Sequence, residues 1–282
     1  MKGRYGDVLQ RLEIGRRVVS ALLIIPILTV VLVLGGPAAT YVLVSVASIL
    51  GLREFYGMTL PGQMVGGKIG RLFLGGGLCA AFYWGGFYVV VAMLGGIIIA
   101  LFVGHIMSDK DLSVVPGHVG LGLLGIMYIP FFLSHMILVH RFPDGLIWIL
   151  VLVTGMWVGD TCALLVGSLW GRHKLCPSIS PQKTVEGFFG CIVGAVISTL
   201  VFKWALLHMM TVQMAIVVGC GLAVFGQLGD ICESVIKRGA NVKDSGTLIP
   251  GHGGMLDRLD SFLFTSPFLY YLLSSPLYDR IL

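Results

Sequence analysis

The stretch VQMAIVVGCGLAVFGQLGDI, residues 212–231, is apolar or small apart from Gln213 and Gln227 until it meets Asp230. A helix rises about 1.5 Å per residue, so about 20 such residues cross the ~30 Å hydrocarbon core of a bilayer. Working outward, the same texture recurs. Nine windows read as spans: 18–35, 38–56, 69–85, 87–105, 119–140, 145–169, 188–208, 212–231 and 259–276. The chain is 56% hydrophobic and 12% charged, with a mean hydropathy of +0.93. Soluble domains carry about 25% charged residues, so lipid must be the solvent for most of this chain. The fold class expected is all-α: one polytopic membrane domain over 1–282, with helices 1–140 leading into a motif-bearing part, 141–282.

The basic start (Lys2, Arg4, Arg11, Arg16, Arg17) precedes an apolar run without a small-residue cleavage site, which reads as a retained first helix. With the N-terminus placed in the cytoplasm, nearly all of the 19 Lys and Arg residues fall on that side. Arg141 and Arg280 lie opposite, and Lys203 sits within a span. Both long polar loops, 171–187 and 232–258, then face the cytoplasm. Many of the 40 glycines sit inside the spans, where small residues let helices approach closely. A helix surface rich in small residues is also compatible with a homodimer. Cys79, Cys162, Cys176, Cys191, Cys220 and Cys232 lack Cys-x-x-Cys spacing and read as small hydrophobes. Neither the phosphate-binding Gly-x-x-x-x-Gly-Lys-[Ser/Thr] loop nor a dinucleotide fingerprint is present. No internal repeat of the transporter kind is evident.

Charge that is scarce elsewhere gathers between Asp230 and Ser261. Asp230, Glu233, Asp244, Asp257 and Asp260 lie here with Lys237, Arg238, Lys243 and Arg258. Gln227, Asp230, Ser234 and Lys237 recur at spacings of three and four, which puts them along one helix face. An ionisable group at membrane depth is costly and faces a cavity or a partner, which marks Asp230 for function. Glu233 is equally well read as a helix end solvated by the cytoplasm. Gly251-His252-Gly253-Gly254 allows backbone amides to approach a ligand, and also suits a plain turn. Asp257 and Asp260 share a face at the start of the last span. Capping of that helix explains Asp260 well. Alternatively, Asp230 and Asp257, on different helices, converge on one hard cation. Mg²⁺ takes a few carboxylates together with water and substrate phosphates. A third segment runs from Asp160-Thr161 to Ser178-Ile179-Ser180-Pro181-Gln182-Lys183-Thr184-Val185-Glu186-Gly187. It offers hydroxyls and a cation to phosphate oxygens, and by itself is an ordinary loop.

Ser234-x2-Lys237-Arg238-x4-Lys243-Asp244-x-Gly246-x2-Ile249-Pro250-Gly251-His252-Gly253-Gly254-x2-Asp257-Arg258-x-Asp260 resembles the signature of the phosphatidate cytidylyltransferases. The segment from Asp160-Thr161 to Pro177-x-Ile179-Ser180-Pro181-x-Lys183-Thr184-x-Glu186-Gly187 resembles that family's second motif, and Glu54-Phe55-Tyr56 also matches. Leu164 and Gln182 depart from it, standing where tyrosine and a second lysine are common. The resemblance implies transfer of cytidylyl from CTP to phosphatidate, giving CDP-diacylglycerol and pyrophosphate in phospholipid biosynthesis. It implies Mg²⁺, with a second cation such as K⁺, and a multi-pass protein of the bacterial inner (plasma) membrane whose site faces the cytoplasm. CTP, phosphatidate and membrane lipid are the expected partners, and nucleic acid is not. Asp230, Asp257, Lys237 and Arg258 are the expected catalytic residues. Asp230 and Asp257 are the expected metal ligands, with Asp260, Ser234 and Asp160 in reach of a cation. Ser180, Lys183, Thr184, Arg238, Lys243, Asp244 and Gly251 to Gly254 (His252 among them) are the expected substrate-binding positions. Other CTP-dependent enzymes of lipid phosphates are the nearest alternative. An ion-coupled transporter is disfavoured, because polarity clusters on one face.

Overall fold

The computed structural model describes residues 2–61, 65–107, 112–246 and 253–276, with side chains from Val30 onward, Val65 apart. Lipid offers no partner to a backbone N–H or C=O, so apolar stretches of this length satisfy themselves as helices. The chain obeys. Helix α1 (Lys2–Thr59) breaks at Gly36, whose φ of 55° and ψ of −147° are open to glycine. The break falls between the first two expected spans. Then follow α2 (Val65–Trp84) and α3 (Phe87–Ile106). The fifth window is a composite: α4 (Val115–Ile126), a π-helical turn at Met127–Phe131, and the short α5 (His135–Val139). Pro130 lies in that turn and has no N–H to give, which accounts for the widened ladder. The remaining helices are α6 (Gly145–Trp170), α7 (Val185–Ala205), α8 (Val212–Gly239) and α9 (Leu256–Leu273).

Six described helical stretches are long and apolar enough to cross a membrane: Val30–Thr59, Phe87–Ile106, Leu112–Val139, Gly145–Trp170, Val185–Ala205 and Val212–Gly239. The windows 69–85 and 259–276 are helical as α2 and α9. They are not among the six; helix α2 carries Lys68 and Arg71, and α9 carries Asp257, Arg258 and Asp260. Most of the window 18–35 lies outside the residues with described side chains, as do the basic residues before it.

Among the described residues, a small apolar core at Cys191, Ala195 and Ala223 forms beside two large ones. One joins Leu52, Phe55 and Tyr56 of α1 to Leu78, Ile126 and Ile129, and takes in Leu256 and Leu263 of α9. The other joins Trp148 and Leu152 of α6 to Val218 and Leu222 of α8, and takes in Leu269 and Leu273 of α9. The last helix therefore belongs to both cores. Small residues set the spacing of the helices around it. A Cβ at Gly190 of α7 would lie 2.8 Å from Val166 and 2.9 Å from the carbonyl of Cys162, both on α6. At Gly229 of α8 it would collide with the backbone carbonyl of Asp260 on α9. Such contacts need backbones that nearly touch.

The segment expected as a loop contains a hairpin. Strands β1 (Lys174–Cys176) and β2 (Ser180–Thr184) pair antiparallel, Lys174 with Thr184 and Cys176 with Ser180, with one irregularity between them. Thr184 ends the hairpin and caps α7: its Oγ accepts from the Gly187 N–H at 3.1 Å. Glu186 closes the other side, accepting from the amides of Arg172 and His173 and pairing with the His173 ring at 2.7 Å.

Candidate active site

The polar face of α8 forms as its spacing predicts. Gln227 and Ser234 are buried, and Asp230 lies between them, half-buried. The hairpin reaches this face through Lys183, whose Nζ sits 2.6 Å from Asp230 Oδ2. Its ammonium is buried, and that carboxylate is the partner the geometry gives it. Gln227 Nε2 lies 3.5 Å from Asp160 Oδ1 on α6. Asp160, Asp230 and Asp260 act on one another, and on Lys183, electrostatically. One turn along, Ser261 N–H donates to Asp260 Oδ1 at 2.6 Å. Three helices and the hairpin thus set three carboxylates and one ammonium within electrostatic reach of one another.

A second cluster is centred on Asp257. Lys237 Nζ lies 2.6 Å from Asp257 Oδ1 and 2.5 Å from Glu233 Oε2, so one ammonium bridges two carboxylates. Asp257 Oδ2 accepts from the amides of Ser245 at 3.0 Å and Gly254 at 2.8 Å. Burial works to raise the Asp257 carboxyl; the Lys237 ammonium and these amides outweigh it and bring it down to about 2. Gly253 holds a φ of +77°, which turns the chain so that the next amide points at this carboxylate. Glu233 corrects the reading of a solvated helix end, because it is 0% exposed. A carboxylate so placed needs a partner, and Lys237 one turn away supplies it.

Asp230 and Asp257 are therefore engaged by different lysines, Lys183 and Lys237. Arg238 ties the end of α8 to the hairpin, its Nε donating to the Ile179 carbonyl at 3.4 Å and Nη1 to the Val242 carbonyl at 3.2 Å. Lys243 and Asp244 are exposed in the turn after α8, and Arg258 is exposed on the first turn of α9. Ser180 is half-buried in β2, while Thr184 is buried with its hydroxyl in the helix cap. Gly251 and His252 lie outside the described residues. Among the described residues, no three His, Cys, Asp or Glu side chains are gathered closely enough to form a metal-binding group.

Sequence reasoning noted Glu54 only within Glu54-Phe55-Tyr56 and gave it no role. The structure sets this α1 carboxylate against the start of α9, accepting from the Met255 and Leu256 amides at 2.9 and 2.8 Å. The signal available was an acidic residue inside an otherwise apolar window.

Comparison with known proteins bears on the chain as a whole. The family model described as the cytidylyltransferase family matches residues 15–275. A phosphatidate cytidylyltransferase of Staphylococcus epidermidis is 48% identical over 130 residues, covering 46% of this chain and 50% of that protein. One of Bacillus subtilis is 43% identical over 157 residues, 55% of this chain and 58% of the relative. One of Staphylococcus aureus is 47% identical over 130 residues, 46% and 50% of the two chains. The matched region spans about half the length of these curated relatives.

Proposed function

The chain belongs to the cytidylyltransferase family, and from that membership we propose that it makes CDP-diacylglycerol from CTP and phosphatidate. The observation that carries the reading is the pairing of a lysine-bearing hairpin with acidic residues of α6, α8 and α9. A reaction between two polyanions needs that mixture. The phosphate oxygen of phosphatidate attacks the α-phosphorus of CTP and forms a new P–O bond. The bond from that phosphorus to the bridging oxygen breaks, and pyrophosphate leaves with the electron pair. The nucleophile is already an anion, so positioning and charge neutralisation carry most of the work.

Asp160, Asp230 and Asp260 fit a hard divalent cation by donor chemistry: all offer carboxylate oxygens, Asp230 is paired with the Lys183 ammonium, and the other two lie within its electrostatic reach. These residues would hold Mg²⁺, with Asp257 at the neighbouring position and Ser234 and a second cation such as K⁺ as further elements of the proposal. When bound, Mg²⁺ supplies charge neutralisation for the triphosphate and the leaving pyrophosphate. Lys183 orients Asp230 and, once released from it, is placed to bind phosphate. Lys237 holds Asp257 in place. Arg238, Lys243 and Arg258 face the aqueous side, where a triphosphate arrives, and Arg suits bidentate phosphate contacts.

The lipid side is supported by the face of α9 that carries Asp260. Phe264, Phe268 and Tyr271 continue that face along the helix and, with Phe132 and Phe225, line an apolar groove of about 650 Å³. Acyl chains beside such a groove remain in the bilayer while the headgroup meets the carboxylates. We place the site on the cytoplasmic side of the inner membrane, where CTP is available, from the distribution of Lys and Arg.

Purified protein in detergent, given radiolabelled CTP and phosphatidate, tests the reading. Label should enter CDP-diacylglycerol with Mg²⁺, stop with EDTA and resume on Mg²⁺ addition. A lipid panel in which another lipid phosphate is labelled and phosphatidate is not would replace the acceptor. No transfer to any lipid would sink the assignment.

A further inference from the structure

Glu54 lies more than a hundred residues from the other site residues, on the first helix, between buried Leu52 and buried Phe55. Its carboxylate meets a set of donors that belongs to the other end of the chain. Oε1 accepts from the Met255 N–H at 2.9 Å, and Oε2 accepts from the Leu256 N–H at 2.8 Å. Ser245 Oγ lies 3.0 Å from Glu54 Oε2 and 2.9 Å from Asp257 Oδ2, so this hydroxyl joins the two acids. Helix α9 has no side-chain cap of its own at Met255. The first N–H groups of any helix need an outside acceptor, and here it comes from α1. The chain also leaves room for it. A Cβ at Gly246 would lie 2.7 Å from Glu54 Oε1, and one at Gly254 would collide with both Ser245 Oγ and Glu54 Oε2.

We propose that Glu54 is a positioning residue for cytidylyl transfer: it pins Ser245 and the first turn of α9, and so fixes the direction in which Asp257 is presented. The proposal rests on the function assigned above. Glu54 does not touch the reacting atoms. Ser245 is the relay, because it donates its amide to Asp257 and shares its hydroxyl between Asp257 and Glu54. Glutamine at position 54 has the same shape and one acceptor oxygen, but turns an NH₂ group toward donors. Aspartate keeps both oxygens and falls short by one methylene.

The experiment compares Glu54→Gln, Ser245→Ala and the double variant with the parent in detergent, by amide hydrogen exchange, thermal unfolding and kinetics. Glu54→Gln should speed exchange across 253–258 by about tenfold or more, the effect of losing a hydrogen bond to a charged group. Peptides from α6 and α7 should keep parental exchange. kcat should fall by about tenfold or more, with the KM for phosphatidate within about twofold of the parent. The double variant should be little worse than the poorer single one, since both act through the same contact. Unchanged exchange at 253–258 overturns the proposal whatever the activity. So does a kcat at the parent's level, or a uniform rise in exchange through every helix, which would mark a general loss of stability. If the parent itself transfers no cytidylyl group, the assigned reaction fails, and the exchange data alone still decide whether Glu54 pins α9.

Discussion

Lys237 shows how much one side chain here is asked to hold. Its ammonium lies between Glu233, which is fully buried, and Asp257. Removing one partner of a buried ion pair costs about 3–5 kcal/mol, because the other charge stays behind. Lys237→Met should therefore lower the unfolding temperature markedly in a thermal melt. Glu233→Gln in the same chain should recover much of that loss, and activity should stay low because Asp257 Oδ1 still lacks its ammonium. Asp230→Asn likewise takes the charge away from the partner of a buried ammonium, that of Lys183, so the melt should fall, though by less than for Lys237→Met, because Asp230 is only half-buried and the amide oxygen can still accept from Lys183. Transfer should drop by about a hundredfold or more, the scale seen when a preorganised charge is lost from a site; a purified variant turning over like the parent would end the role given to Asp230. Lys183→Ala should raise the KM for a phosphate-bearing substrate by about tenfold, read from initial rates. The periodicity of α8 made Gln227, Asp230, Ser234 and Lys237 legible as one face before any coordinates. Glu233 was misjudged because its burial comes from packing by other helices, which spacing along one helix does not record.

At the scale of elements, α9 and the hairpin matter most. The hairpin was not legible as strands, since three- and five-residue strands rich in Ser, Pro and Lys carry no readable alternation. Its anchor is Thr184, a buried cap for α7. Thr184→Ala should cost about 1 kcal/mol in a denaturation measurement, and Thr184→Ser should restore most of it. Because Lys183 precedes the cap, the alanine variant should also loosen the Lys183–Asp230 pair and raise the KM for CTP. Contact between α8 and α9 depends on Gly229, which admits the Asp260 backbone. Gly229→Val should wedge the helices apart and abolish transfer, with the protein still recovered from the membrane fraction. The helices themselves were readable from apolar length. The break at Gly36 falls in the gap expected between the first two spans, whereas the π turn at Pro130 was not placed, because it depends on where neighbouring helices let the backbone bend.

For the whole molecule, the two large apolar cores are joined by helices that enter both, α9 most extensively at its two ends. Helix α9 packs on α1 through Leu256 and Leu263, and on α6 and α8 through Leu269 and Leu273. Membrane class and the identity of the acidic clusters could be read from composition, but this shared helix could not, since it joins residues from opposite ends of the chain. Orientation has a direct test: a reporter domain inserted at Asn241, in the turn after α8, should be active only in the form that folds in the cytoplasm. The contact between Glu54 and Leu256 spans 202 residues. At roughly 5–20 residues per second, a ribosome takes about 10–40 s to make that interval. Through that time α1 carries a carboxylate whose partners have not yet been synthesised. The last helix then arrives as a closing piece that both discharges this debt of hydrogen bonds and completes the acidic cluster. Half-made or prematurely ended chains thus lack the amides from which Glu54 accepts in the finished fold.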